Sequence, residues 1–172
     1  LPDGMKTEVN LEAMSWIKDV FLATNKGFII TIDYGYPAYL YYAPTRMNGT
    51  FMCYFNHSVN EEPFERVGKQ DITAHIDFTS IASEGKRAGL ELSTFTDLPF
   101  FLMDKGKDIL EDEISKLQDI DNVNAFKSSS AIKNLIHPEG MGGKFKVMIQ
   151  TKGIDAEYPF NSHFNRKNLL EI

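Results

Sequence analysis

The chain has 172 residues, 42% of them hydrophobic and 12% aromatic, enough for one ordinary domain with a buried core and too few for several. Its formal charge of -6, with acidic residues spread along its length, argues against broad attraction to nucleic-acid phosphates. One cysteine, Cys53, excludes an intrachain disulfide and a four-cysteine zinc site, and no apolar run approaches the roughly 20 residues that span a bilayer.

The opening residues, LPDGMKTEVN, have neither the basic start nor the apolar stretch of a secretory signal, and no initiator methionine, which leaves open an upstream half. Val9, Ala13, Ile17, Val20 and Phe21 recur at helical spacing and predict an amphipathic helix over 8–23, stopped by Asn25-Lys26-Gly27. Phe28 to Asp33 is a continuous apolar run expected to be a parallel strand buried on both faces. It ends in Asp33-Tyr34-Gly35, where the ligands of open α/β sheets bind beyond the carboxyl ends of strands. The competing reading is that Asp33 and Gly35 only start a turn.

Residues 36–70 are rich in Tyr, Pro, Asn and Gly and predict a long ordered excursion with one short strand near 50–54. Cys53 lies among aromatic neighbours there and is expected in the core rather than as a nucleophile. Asp77 or Thr79 is expected to cap a helix running to Ala88, Gly89 to end it, and 90–95 to form the next strand, which makes a strand, crossover helix, strand unit. Helices over 98–105, 109–117 and 123–135, the last closed by His137-Pro138, form a helical insertion at 97–136. After the Gly142-Gly143 hinge, Lys144 to Thr151 alternates as a strand with unequal faces, and 154–172 is expected to be a loosely packed polar tail containing His163.

The densest chemistry is in Asp71-Ile-Thr73-Ala-His75-Ile-Asp77, where period-two geometry would put Asp71, Thr73, His75 and Asp77 on one face. Such a face could hold an imidazole oriented by a carboxylate for acid–base work or, with His57, a metal. Equally, Asp71 and Thr73 could close turns, Asp77 could cap a helix and His75 could make one buried hydrogen bond. No nucleophile elbow, P-loop or GxGxxG occurs.

In order and spacing, GFIITIDYG (27–35), GTFMCYFNH (49–57), GKQDITAHIDFTSIA (68–82), GLEL (89–92), TDLPFFL (96–102) and HPEGMGGKFKVMIQTKG (137–153) resemble the MidA-type (DUF185) S-adenosylmethionine-dependent methyltransferase family. The resemblance implies an α/β chain, the C-terminal part of a Rossmann-like class I methyltransferase fold, with 1–153 supplying the last three strands of a mixed sheet and an antiparallel final strand at 144–151. It implies S-adenosylmethionine as cofactor, held mainly by an N-terminal half outside these residues. No cofactor-binding residue and no metal ligand is therefore assigned here, and the chain alone is expected to be inactive.

A relative that assembles mitochondrial complex I methylates arginine on a partner subunit, so the resemblance implies a protein substrate, a cytoplasmic setting for a bacterial protein and a mitochondrial one for a eukaryotic protein. Asp33, Asp71, His75 and Asp77 are the catalytic candidates, because carboxylates suit a guanidinium fork, with Tyr34, Gly35, Tyr54, His57 and Thr73 binding the acceptor. The chain departs from the family at Asp97, where relatives tend to carry glutamine, so an amide-specific contact there is in doubt. The other readings are a non-catalytic interaction module and a metal-dependent hydrolase built on His57, Asp71, His75 and Asp77. The edge of the first strand is expected to be exposed and to support a homodimer.

Overall fold

A computed structural model describes residues 1–118, 123–137, 139–155 and 164–172. Helix α1 (Leu11–Ala23) starts where the Asn10 side chain accepts the amide of Ala13, later than the spacing suggested, because Glu8 is engaged elsewhere. Strand β1 (Gly27–Tyr36) follows, then a one-turn helix α2 (Ala38–Tyr41). The excursion builds a small sheet of its own from β2 (Met52–Phe55), β3 (Ser58–Asn60) and β4 (Asp71–Thr73), in the order β3-β2-β4. Two residues of β5 (Ile76–Asp77) return to β1 and lead into α3 (Phe78–Ala88), which ends at Gly89 in the left-handed conformation that glycine adopts without strain.

Strand β6 (Glu91–Asp97), helices α4 (Leu98–Lys105), α5 (Lys107–Gln118) and α6 (Val123–Ile136), and strand β7 (Phe145–Lys152) complete the regular elements. The main sheet has the order β5-β1-β7-β6, with β1 and β5 parallel and β7 antiparallel to both β1 and β6. The chain is thus α/β with a mixed sheet, and its antiparallel last strand is inserted between β1 and β6.

Helices α1 and α3 cover one face of this sheet, where Ile17, Ile29, Phe78, Ile81, Phe95 and Met148 join one core cluster and the rings of Phe78 and Phe95 lie 5.3 Å apart. Cys53 is buried, as its neighbours suggested.

Three expectations are corrected. Strand β1 is neither wholly parallel nor buried on both faces: it pairs with β5 only at Gly35 and Tyr36, and Ile30 and Ile32 are 49% and 47% exposed. The continuously buried strand is β7, since it has a neighbour on each side and Val147 to Thr151 are all buried. The C-terminal segment is not loose in its described part. Leu170 is fully buried in the core cluster, and the Asn165 amide bonds the main chain of both Ser93 and Phe95. His163 and Pro138 lie outside the described residues.

Candidate functional site

The carboxyl end of β1 is fixed by Gly35, where any Cβ would collide with the Ile76 carbonyl oxygen and the Phe78 ring. This close approach brings β5, and with it His75, against the strand end. Asp33, two residues earlier, accepts the amide of Tyr34 at 2.7 Å and has no ion pair among the described residues. The Tyr34 ring packs on Phe145 at 4.2 Å and lies parallel to His75 at 6.2 Å, while Tyr36 approaches His75 at 5.2 Å and carries the Arg46 guanidinium 3.9 Å above it.

His75 is held by its backbone. Its amide donates to the Thr50 hydroxyl at 2.9 Å, and its carbonyl accepts from the Tyr41 hydroxyl at 3.1 Å. The Tyr41 hydroxyl also reaches Glu8, and burial raises its pKa. Burial, and then the Arg46 charge, push the His75 imidazole below its usual value, and its buried Nδ1 has no partner among the described residues. The ring is accordingly neutral at pH 7, able to accept a proton rather than supply one.

Tyr34, Tyr36, Tyr54, Thr73, His75, Lys144 and Lys146 line a cavity of about 690 Å³. A second cavity, of about 370 Å³, shares Ala74 and His75 with it and includes Glu8, Tyr42 and Asp77. A third, of about 490 Å³, opens along the free edge of β1 between Trp16, Ile30, Ile32 and Asp33.

Four of the sequence candidates, Tyr34, Tyr54, Thr73 and His75, therefore meet at one cavity, and Asp77 lines the one adjoining it, whereas Asp33 lines the third, on the opposite face of β1 from Tyr34. The run 71–77 does not present one face, because the chain leaves the small sheet after Thr73 and enters the main sheet at Ile76. Asp71 is exposed on β4 opposite Tyr54, and His57 is exposed at the tip of the β2–β3 hairpin, where it and Asn56 take the positive φ values of a tight two-residue turn. Gly35 is buried and shapes backbone only.

Asp77 is occupied: its carboxylate accepts the amides of Thr79 and Ser80 and the hydroxyls of Ser80 and Tyr42. Burial, reinforced by the Asp77 charge, pushes Tyr42 up to about 12. Among the described residues no three His, Cys, Asp or Glu side chains converge on a metal-binding arrangement, which removes the support for a hydrolase on His57, Asp71, His75 and Asp77. Sequence reasoning missed Tyr36, Lys144 and Lys146. The alternation DYGY and KFK, each at a strand end, is the signal that could have found them.

The residues present do not by themselves fit a nucleoside cofactor. The cavity along β1 is an open-sided wall, and no glycine turn directs a set of amides into it among the described residues.

Residues 1–96 match the family model described as "Putative S-adenosyl-L-methionine-dependent methyltransferase". A COG1565 superfamily protein from Burkholderia thailandensis aligns over 97% of this chain and 44% of its own, at 32% identity and a TM-score of 0.82. A COG1565 superfamily member from the same organism, bound to S-adenosyl-homocysteine, aligns over 97% of this chain and 42% of its own, at 31% identity and a TM-score of 0.80. The chain thus spans less than half the length of either. No curated protein matches it. With a mixed sheet of this order, an aromatic cavity at the carboxyl end of β1 and these likenesses in hand, the chain belongs to the S-adenosyl-L-methionine-dependent methyltransferase family of the COG1565 (DUF185) group.

Proposed function

We propose that this chain forms the acceptor side of a protein methyltransferase directed at arginine, with the cofactor held mainly by residues outside it, so that the chain alone does not transfer methyl groups. The observation that carries the reading is the Asp33 carboxylate, without an ion pair among the described residues, at the carboxyl end of β1, where it lines the cavity that also holds Trp16, Ile30 and Ile32. A guanidinium is planar and always charged, and a carboxylate matches its paired N–H groups. Asp33 holds and orients the acceptor, the tyrosine rings bound its approach and exclude water, and neutral His75 is the group suited to take up the proton released. Asp77, saturated by its cap, supports this arrangement rather than reacting, and Asp71 and His57 contact the protein substrate from the outer hairpin.

The test supplies this chain with a cofactor-binding half and follows tritium from methyl-labelled S-adenosylmethionine into arginine-containing peptides. Transfer is expected from the combined protein only, and Asp33→Asn or His75→Ala is expected to reduce it at least about a hundredfold, in the range of a lost acid–base or positioning group. Undiminished transfer in both variants would overturn the site, and label on another residue type would overturn the arginine reading.

The open edge of β1, with Ile30 and Ile32 exposed beside it, supports association through that edge, and a homodimer is the arrangement proposed for the isolated chain. Light scattering that returned a monomer at high concentration would contradict it.

A further inference from the structure

Asp33, Lys146 and Asp97 form one cross-strand row. Lys146 of β7 is the direct partner of Asp33 on β1 and of Asp97 on β6, so an ammonium stands between two carboxylates on neighbouring strands. Directly opposed residues share a face with side chains about 5 Å apart, and a lysine stem is long enough to reach either neighbour.

The choice is one-sided. Lys146 Nζ lies 2.7 Å from Asp97 Oδ1, a mostly buried pair, while Arg166 takes Asp97 Oδ2 at 2.9 Å. Among the described residues, Asp33 is left with the Tyr34 amide. Arg166 comes from the C-terminal segment, anchored there by its own amide on the Phe95 carbonyl and by the Asn165 side chain. The Asp97 carboxylate, which has an oxygen for each cation, holds Lys146 toward β6, away from the strand end where a cationic acceptor would arrive.

We infer that Asp97 is a positioning residue that captures the Lys146 ammonium and so keeps the Asp33 carboxylate unpaired for a cationic, guanidinium-class acceptor. This inference rests on the reading of Asp33 given above. It makes Asp97 the determinant of whether the strand end presents an anion or a neutralised pair, at a position that need not touch the substrate.

The test is a crystal structure of the Asp97→Asn chain together with titration of N-acetyl-L-arginine amide into wild type, Asp33→Asn, Asp97→Asn and Asp97→Asn/Lys146→Met, read from the Asp33 and Tyr34 amide resonances. In Asp97→Asn, Lys146 Nζ is expected within about 4 Å of the Asp33 carboxylate, the distance of an ion pair, and probe affinity is expected to fall about fivefold. Adding Lys146→Met is expected to restore it, which a merely structural role for Asp97 would not do. If Asp97→Asn does not fold, Asp97→Gln, whose carbonyl can still bond Arg166, takes its place. Wild type that responds and Asp33→Asn that does not, with Asp97 variants as good as wild type or Lys146 still turned toward β6, would overturn this inference alone. Wild type that does not respond would overturn the reading of Asp33 and this inference with it.

Discussion

Glu8 clasps Thr50: its carboxylate accepts the Thr50 amide at 3.1 and 3.0 Å and the Thr50 hydroxyl at 3.1 Å, and it takes the Phe51 amide at 3.0 Å as well. Gly49 makes room for this, since a Cβ there would collide with the carboxylate. Through the Thr50 hydroxyl, which accepts the His75 amide, the clasp reaches the candidate site. Hydrogen bonds to a charged group contribute about 1.5–3 kcal/mol, so Glu8→Ala is expected to lower the unfolding free energy by about 2–3 kcal/mol in urea titration. A loss below about 0.5 kcal/mol would show that the clasp does not hold the excursion.

Asp77→Ala removes an N-cap with two amide acceptances and exposes two hydroxyls to loss of their partner. A loss of about 1–2 kcal/mol is expected, with α3 fraying first in amide hydrogen exchange. Asp77→Asn should recover about half of that, since an amide oxygen can still cap. Unchanged exchange at Thr79 and Ser80 in Asp77→Ala would contradict the cap as the role of this carboxylate.

Acid acts on stability in the same direction through His75 and through two carboxylates, Glu8 and Glu84; burial alone would raise Glu84, but Lys18 and Arg87 outweigh it and hold it below its usual value. His75 has a folded pKa below its usual 6.5, so the unfolded chain binds that proton more readily, and stability is full above about 6.5 and declines as pH falls through the folded value. Burial alone would raise Glu8, but the hydrogen bonds from Thr50 and Phe51 outweigh it and hold the carboxyl below its usual 4.5, so its contribution is present above 4.5 and lost as pH falls through the folded value. Urea midpoints measured between pH 7.5 and 3.5 should therefore decline in two steps. His75→Phe is expected to remove the upper step and Glu8→Gln to diminish the lower, which Glu84 shares, and an unchanged profile in either variant would reject that assignment.

Leu170→Ala tests whether the C-terminal segment is part of the core. Complete burial predicts a loss of about 2–5 kcal/mol, measured by thermal or urea unfolding, against near zero for a residue on a loose tail.

Local signals in the sequence were sufficient for elements and insufficient for their neighbours. The helix over Phe78–Ala88 is legible because its cap, Asp77, and its stop, Gly89, are both local chemistry. The burial of β1 and β7 is the reverse of what the sequence suggests because a continuous apolar run and an alternating one report side-chain type, whereas burial depends on which strands lie alongside, and β7 owes its place between β1 and β6 to pairings about fifty residues distant or more. The site was partly legible for the same reason: Tyr34 and His75 stand at strand ends that motifs mark. The exit of the chain from one sheet into another at Ala74 and His75, which separates Asp71 from Asp77, is a tertiary event that period-two spacing does not record.

The most direct test of the acceptor reading is titration of N-acetyl-L-arginine amide into the isotope-labelled wild-type chain and its Asp33→Asn variant, followed by amide chemical shifts. Saturable shifts centred on Asp33, Tyr34 and His75 in the wild type, lost in Asp33→Asn, are the predicted result. Shifts absent from the wild type, or equal in the two proteins, would contradict it.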